Sequence, residues 1–220
     1  QLYRLVSPIA LYPDKLVAQV LAASTYPQQV AQADRWVAQN PNLKGGALGD
    51  AADRQPWDPS VKSLASFRSV LDQMATNLPW TTALGDAYYN DPGDVMNAIQ
   101  VMRQRASRAG QLKSTPKLRV ASAAAPVNYT PDPNAPVYYT GPAIIEPPPQ
   151  YITIEPAQPD VVYVPSYDPE VIYGEPVATY PGYAYAPPVY FEQRNPRYSS
   201  GQIAAAGAVT FGLGVVVGSA

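Results

Sequence analysis

Apolar residues recur every three or four positions through the first half of this chain, and every second position further on. Leu16, Val17, Val20 and Leu21 fall on one helical stripe, Val30, Ala33 and Val37 on another, and Val95, Ile99 and Met102 on a third. Proline punctuates these stripes. Asp58-Pro59 and Asp91-Pro92 place proline at a first helical position behind a capping residue, and Tyr12-Pro13, Tyr26-Pro27 and Leu78-Pro79 repeat the device with weaker caps. Together the signals predict short helices over residues 1–7, 13–24, 27–39, 46–54, 59–65, 68–77, 79–89 and 92–109, with Gly110 at the last C-terminal cap. Residues 1–115 are thus expected to form a compact α-helical domain.

The period then changes to two. Tyr151-Ile-Thr-Ile-Glu155 alternates, Val161-Val-Tyr-Val164 follows a proline-bounded loop, and Val171-Ile-Tyr173 follows the turn Tyr167-Asp-Pro-Glu170. These runs predict two or three short strands in a small edge hairpin within residues 151–175. So few strands cannot bury a core of their own, and they must lean on the helical domain or on another subunit. Residues 116–150 read as a proline-rich, extended connector, and residues 176–198 as a Pro/Tyr-rich arm. From Ser199 to Ala220 there is no charge, and small residues recur at Ala206, Thr210, Gly214 and Gly218. That ladder suits close backbone approach, so residues 199–220 are expected to be buried in a membrane or between subunits, as helix or as strand. The fold class expected is mainly α: a bundle of short helices, an extended Pro/Tyr-rich arm with a few short strands, and an apolar Gly/Ala-rich C-terminal segment.

Composition sharpens the reading of the arm. Residues 126–198 hold 17 of the 26 prolines and 12 of the 17 tyrosines. Proline removes backbone donors and excludes a long helix or wide sheet, while so many aromatic rings are unlike a solvated linker. Rings on a stiff backbone fit an arm laid along another surface. Ile152, Ile154, Val162 and Val164 are its expected apolar face and Tyr163, Tyr167 and Tyr173 its contact rings, with Gly214 and Gly218 marking the tail contact. The partner expected is another copy of the chain, wrapped by the arm, with the outer membrane or a further envelope protein as a second possibility. Charge supports attraction between copies: residues 1–120 carry 13 Lys/Arg against 9 Asp/Glu, and residues 121–220 carry 2 against 8. The basic excess gathers in Arg103, Arg105, Arg108, Lys113, Lys117 and Arg119, which is expected to pair with the acidic arm. A sequence pI near 5.1 argues against nucleic acid as a partner.

Chemistry is restricted by what is missing. Without cysteine or histidine there are no disulfides, thiolates, Ser-His-Asp triads or histidine-based metal sites. Carboxylates remain, in the groups Asp50, Asp53, Asp58 and Asp86, Asp91, Asp94. Asp58 and Asp91 precede proline and read as helix caps, and no loop signature supports calcium at 86–94. Trp36, Trp57 and Trp80 read as core residues rather than as a sugar-stacking platform. No catalytic, cofactor-binding or metal-binding residue is expected.

Several phrases identify a resemblance. They are Pro8-Ile-Ala-Leu-Tyr-Pro-Asp14, Ala22-Ala-Ser-Thr-Tyr-Pro27, Arg35-Trp36 with Asn40-Pro-Asn-Leu-Lys-Gly45, Gln55-Pro-Trp-Asp-Pro-Ser60, Leu84-Gly-Asp-Ala87, Leu112-Lys-Ser-Thr115, Ile154-Glu-Pro-Ala157, Val161-Val-Tyr-Val-Pro165, Tyr167-Asp-Pro169 and Tyr173-Gly174. In this order they resemble the family called domain of unknown function 3300 over about residues 1–175. The resemblance implies an exported protein of Gram-negative bacteria and supplies no activity. Gln1 is no initiator, which fits a processed, mature secreted form. The function expected is therefore a non-enzymatic, exported protein that self-associates into an oligomer or filament at the cell envelope or outside the cell. A periplasmic binding module for cell-wall glycan or a partner protein is the alternative, and a carboxylate-dependent hydrolase the third reading.

Overall fold

The computed structural model describes residues 1–124, 145–158 and 161–184, and the backbone of 191–194. Eight helices come first: α1 (Leu2–Val6), α2 (Asp14–Ser24), α3 (Pro27–Gln39), α4 (Gly45–Asp53), α5 (Pro59–Leu64), α6 (Arg68–Thr76), α7 (Leu78–Asn90) and α8 (Pro92–Arg108). They lie where periodicity and proline predicted them, and the chain is predominantly α. Proline occupies the first helical position in α3, α5 and α8. The Asp58 side chain accepts from the Ser60 N–H at 2.9 Å, and that of Asp91 from the Asp94 N–H at 3.0 Å. Both aspartates are caps, as expected.

The apolar stripes converge on one core. Leu16, Leu21, Leu64, Leu71, Leu84 and Ile99 are fully buried, each contributing about 1.5–3 kcal/mol by leaving water. Helix α2 packs on α5 and α7, α3 on α6, and α1 on α8. Trp80 is buried among them, and its indole N–H donates to the Leu5 carbonyl at 2.9 Å, tying α7 to α1. Gly85 lets α7 approach α2 closely: a Cβ there would lie 2.1 Å from the Ser24 carbonyl oxygen.

The strands depart from expectation. β1 (Leu118–Ala124) pairs antiparallel with β2 (Gln150–Pro156), and β3 (Val161–Val164) pairs with β4 (Phe191–Arg194). Residues 151–155 and 161–164 therefore do not form a hairpin with each other. The partner of β2 lies inside the segment read as a connector, because Leu118–Ala124 is a proline-free window between Pro116 and Pro126 that the surrounding composition hides. Val171–Tyr173 is not a strand either. Pro169–Ile172 forms a single helical turn, α9, whose cap Asp168 accepts from the Glu170 N–H at 2.9 Å. The Asp-Pro start that opens α5 and α8 opens this turn too, and it overrides the β-branched pair Val171-Ile172. Residues 199–220, with Gly214 and Gly218, lie outside the described residues. Among the described residues no helix is long and apolar enough to cross a membrane.

Candidate functional site

Helix α8 carries a row of polar side chains at helical spacing, and they bond to the main chain of the arm. Asp94 accepts from the Ile145 N–H at 2.9 Å, and the Asn97 amide donates to the Ile145 carbonyl at 2.8 Å. Gln100 does both for Ile152, accepting from its N–H at 2.8 Å and donating to its carbonyl at 3.0 Å. Gln104 donates to the Gln150 carbonyl at 2.9 Å. An amide side chain offers a donor and an acceptor like a peptide unit, so Gln100 occupies the place of a neighbouring strand. The outer edge of β2 is stitched to the helix in this way, and its main-chain groups are not left dry and unpaired.

Arg103 is the centre of the junction. Its guanidinium is fully buried and donates to Asp14 Oδ1 at 2.6 Å, to the Ala10, Tyr12 and Ile152 carbonyls at 2.7, 3.0 and 2.7 Å, joining the α1–α2 loop, α2, α8 and β2. Asp14 also accepts from the Ile154 N–H at 3.1 Å. Burial holds the Asp14 carboxyl above the usual carboxylate range, and the adjacent Arg103 charge opposes that shift without cancelling it. Arg103 is therefore withdrawn from the basic run at the surface. Arg103 pairs within the head, because a dry guanidinium needs a fixed counter-charge and acceptors for its fork. Lys117 stands 5.1 Å above the Tyr163 ring and Arg105 4.9 Å above that of Tyr3.

Within the single chain, the residues expected to grip another copy lie against their own head. Val162, Val164 and Tyr173 are buried in the chain's own core, and Ile152 and Ile154 are buried on β2. The Tyr173 hydroxyl donates to the Ser7 carbonyl at 2.6 Å. Tyr167 donates to the same oxygen at 2.9 Å and accepts from the Leu11 N–H at 3.2 Å. Further along, Tyr183 packs edge-on against Trp80 at 5.1 Å and accepts from the Gln73 amide. Burial raises the Tyr183 hydroxyl far above its ordinary range, so it stays protonated. Within the single chain, Ser7 and Leu11 between α1 and α2 supply the carbonyl and the N–H that Tyr167 and Tyr173 take up.

Among the described residues an open groove lies beside the junction. The C-terminal half of α8 (Gln104, Ser107, Arg108) and the face of the β1–β2 ribbon (Val120, Ser122, Gln150, Ile152) enclose a groove of about 540 Å³. Its lining mixes apolar side chains (Val120, Ala121, Ala124, Pro149) with polar ones, and Arg108 is the charged side chain among them. Residues 121–124 of β1 are exposed, and among the described residues β1 has β2 as its one strand neighbour. Val120 is bonded through both its N–H and its carbonyl to the Ser114 hydroxyl, at 3.0 and 3.1 Å. Because Ile152 and Ile154 turn their N–H groups toward α8 and Asp14, the alternation turns Ser122 and Ala124 outward on β1.

The tryptophans offer little platform. Trp80 and Trp57 are buried, and Trp36 packs edge-on against Trp57 at 5.5 Å. Among the described residues no group of three acidic side chains is placed to hold a metal ion.

Comparison with known proteins matches residues 1–220 to the family described as "Protein of unknown function (DUF3300)". The chain belongs to the DUF3300 family. It is 46% identical over 197 residues to "Uncharacterized protein YacH" of Escherichia coli (strain K12), covering 86% of this chain and 31% of that relative. The chain thus spans about a third of the length of the curated relative it matches. No solved structure matches it.

In this DUF3300 chain, sequence reasoning missed Arg103, Gln100, Asp14 and β1. Part of that signal was present: Asp94, Asn97, Gln100 and Gln104 recur at helical spacing beside the apolar stripe Val95, Ile99 and Met102. In α8 the polar row beside the buried one meets main chain.

Proposed function

We propose that this chain is a non-enzymatic association module, exported to the bacterial envelope or beyond, that assembles copies of itself into an oligomer or filament. The observation that carries this reading is the β1–β2 ribbon. One of its edges is stitched to α8, while its other edge at Ser122–Ala124 and the adjoining groove face outward. An exposed strand edge is a template for association, and this one bears no proline and no charge from Val120 to Ala124. The buried polar groups act as fasteners: Arg103, Asp14, Asp94 and Gln100 have their bonds taken up by the fold. The glycan-binding alternative draws less support, since the faces of Trp57 and Trp80 are turned into the core. Light-scattering mass across a hundredfold concentration range tests the reading. The expected result is a mass that climbs with concentration; a monodisperse monomer throughout would overturn it. Fractionation of cells producing the protein tests export: recovery outside the cytoplasm is expected, and recovery in the cytoplasm alone would overturn it.

A further inference from the structure

We infer that the groove between α8 and the β1–β2 ribbon receives the α9 knuckle, Asp168–Glu175, of a second copy of this chain. The inference rests on the self-association reading and gives that contact its residues. The knuckle presents Val171, which is 67% exposed and is one of the three large apolar residues left outside among the described ones. Asp168, Glu170 and Glu175 surround it and are exposed. The groove offers the complement: Val120, Ala124 and Pro149 are apolar side chains of its lining, and the exposed Arg108 stands beside them. A groove of this size admits the whole turn, with Val171 against the apolar side chains and a flanking carboxylate on the guanidinium fork. Opposite net charges on the first 120 residues and the rest favour the same pairing between copies.

The position of the knuckle makes the contact one between copies. Gly174, at φ +74°, holds the knuckle against the end of α8, where an added Cβ would lie 3.0 Å from the Ala109 Cβ. At about 100° per residue, Ala109 points roughly 140° around the helix from Gln104, which lines the groove. A copy therefore cannot fill its own groove with its own knuckle while both stay in place. Each copy offers one knuckle and one groove, so the contact closes as a reciprocal dimer or a ring, or propagates as an open filament.

Sedimentation velocity of the 220-residue chain from 1 to 200 µM, at low and at 0.5 M salt, tests this. Four forms are compared: wild type, Arg108→Glu, Glu170→Arg, and the double charge exchange, with circular dichroism to check each fold. Both altered side chains are exposed, so the helical signal should persist. Each single reversal is expected to weaken association at least tenfold, and the double exchange to restore it, because the swapped charges meet again across the interface. Val171→Asp should weaken it as well. Wild-type association unaffected by either reversal would overturn the knuckle-in-groove contact and leave self-association standing. A wild-type chain that stays monomeric throughout would overturn both.

Discussion

Replacing Arg103 by methionine should cost about 3–5 kcal/mol, the usual penalty for removing one partner of a buried ion pair. The structure shows why the figure belongs at that level. The guanidinium makes four hydrogen bonds, at 2.6–3.0 Å, to Asp14 and to three main-chain carbonyls of the α1–α2 turn, α2's approach and β2. Methionine fills similar volume but leaves the Asp14 carboxylate buried and the Ala10, Tyr12 and Ile152 carbonyls short of a donor. For a domain worth about 5–15 kcal/mol, that is a large fraction. With a urea slope of about 2 kcal/mol per molar, the midpoint should fall by about 2 M. The loss also carries a pH signature. Asp14 already sits above the usual carboxylate range, and removing the cation pushes it further up. The folded state then takes up a proton more readily than the unfolded chain, so stability of the variant rises as pH falls through the folded-state value toward the ordinary carboxylate range. Urea unfolding followed by circular dichroism at pH 7 and pH 4.5 reads both effects. Arg103→Met should recover a good part of its deficit at the lower pH, and Asp14→Asn/Arg103→Met should lose that pH response. A cost under about 1 kcal/mol at pH 7, or equal costs at the two pH values, would refute the account of Arg103 as the buried clamp between head and arm.

Three further outcomes follow from other contacts. Gly85→Ala should lower stability by about 1–3 kcal/mol, because its Cβ would strike the Ser24 carbonyl oxygen, main chain that can move only with α2; thermal melts read it, and a rise in Tm would contradict the close approach of α2 and α7. Tyr173→Phe should cost about 0.5–1.5 kcal/mol, since the Ser7 carbonyl keeps Tyr167, whereas Tyr167→Phe/Tyr173→Phe should cost more than the two singles summed; strict additivity would argue against the shared acceptor. Asp34 is raised by partial burial and then by the Asp72 charge, so its ionisation works against the fold: stability it leaves intact below the unfolded carboxylate value is lost as pH rises through the folded one. Asp34→Asn should therefore stabilise at pH 7 and make no difference near pH 3, as comparative melts would show.

Sequence alone determined the helical half of this protein. Apolar spacing, Asp-Pro starts and the glycine after α8 are local signals, and each acts through main-chain geometry within one or two turns. Such signals even announced α9, had the Asp168-Pro169 start been given the same authority as Asp58-Pro59 and Asp91-Pro92. Tertiary structure alone decided the rest. Ala121–Ala124 have weak strand propensity, and they form a strand because β2 lies alongside, more than two dozen residues later in the chain. Arg103 reads as one cation in a basic run, and becomes the buried clamp because α8 brings it within reach of Asp14, 89 residues away. The tyrosines were legible as contact rings, but not the surface they would cover. That choice rests on which carbonyls the α1–α2 turn leaves open, a property of the folded head that no local pattern encodes.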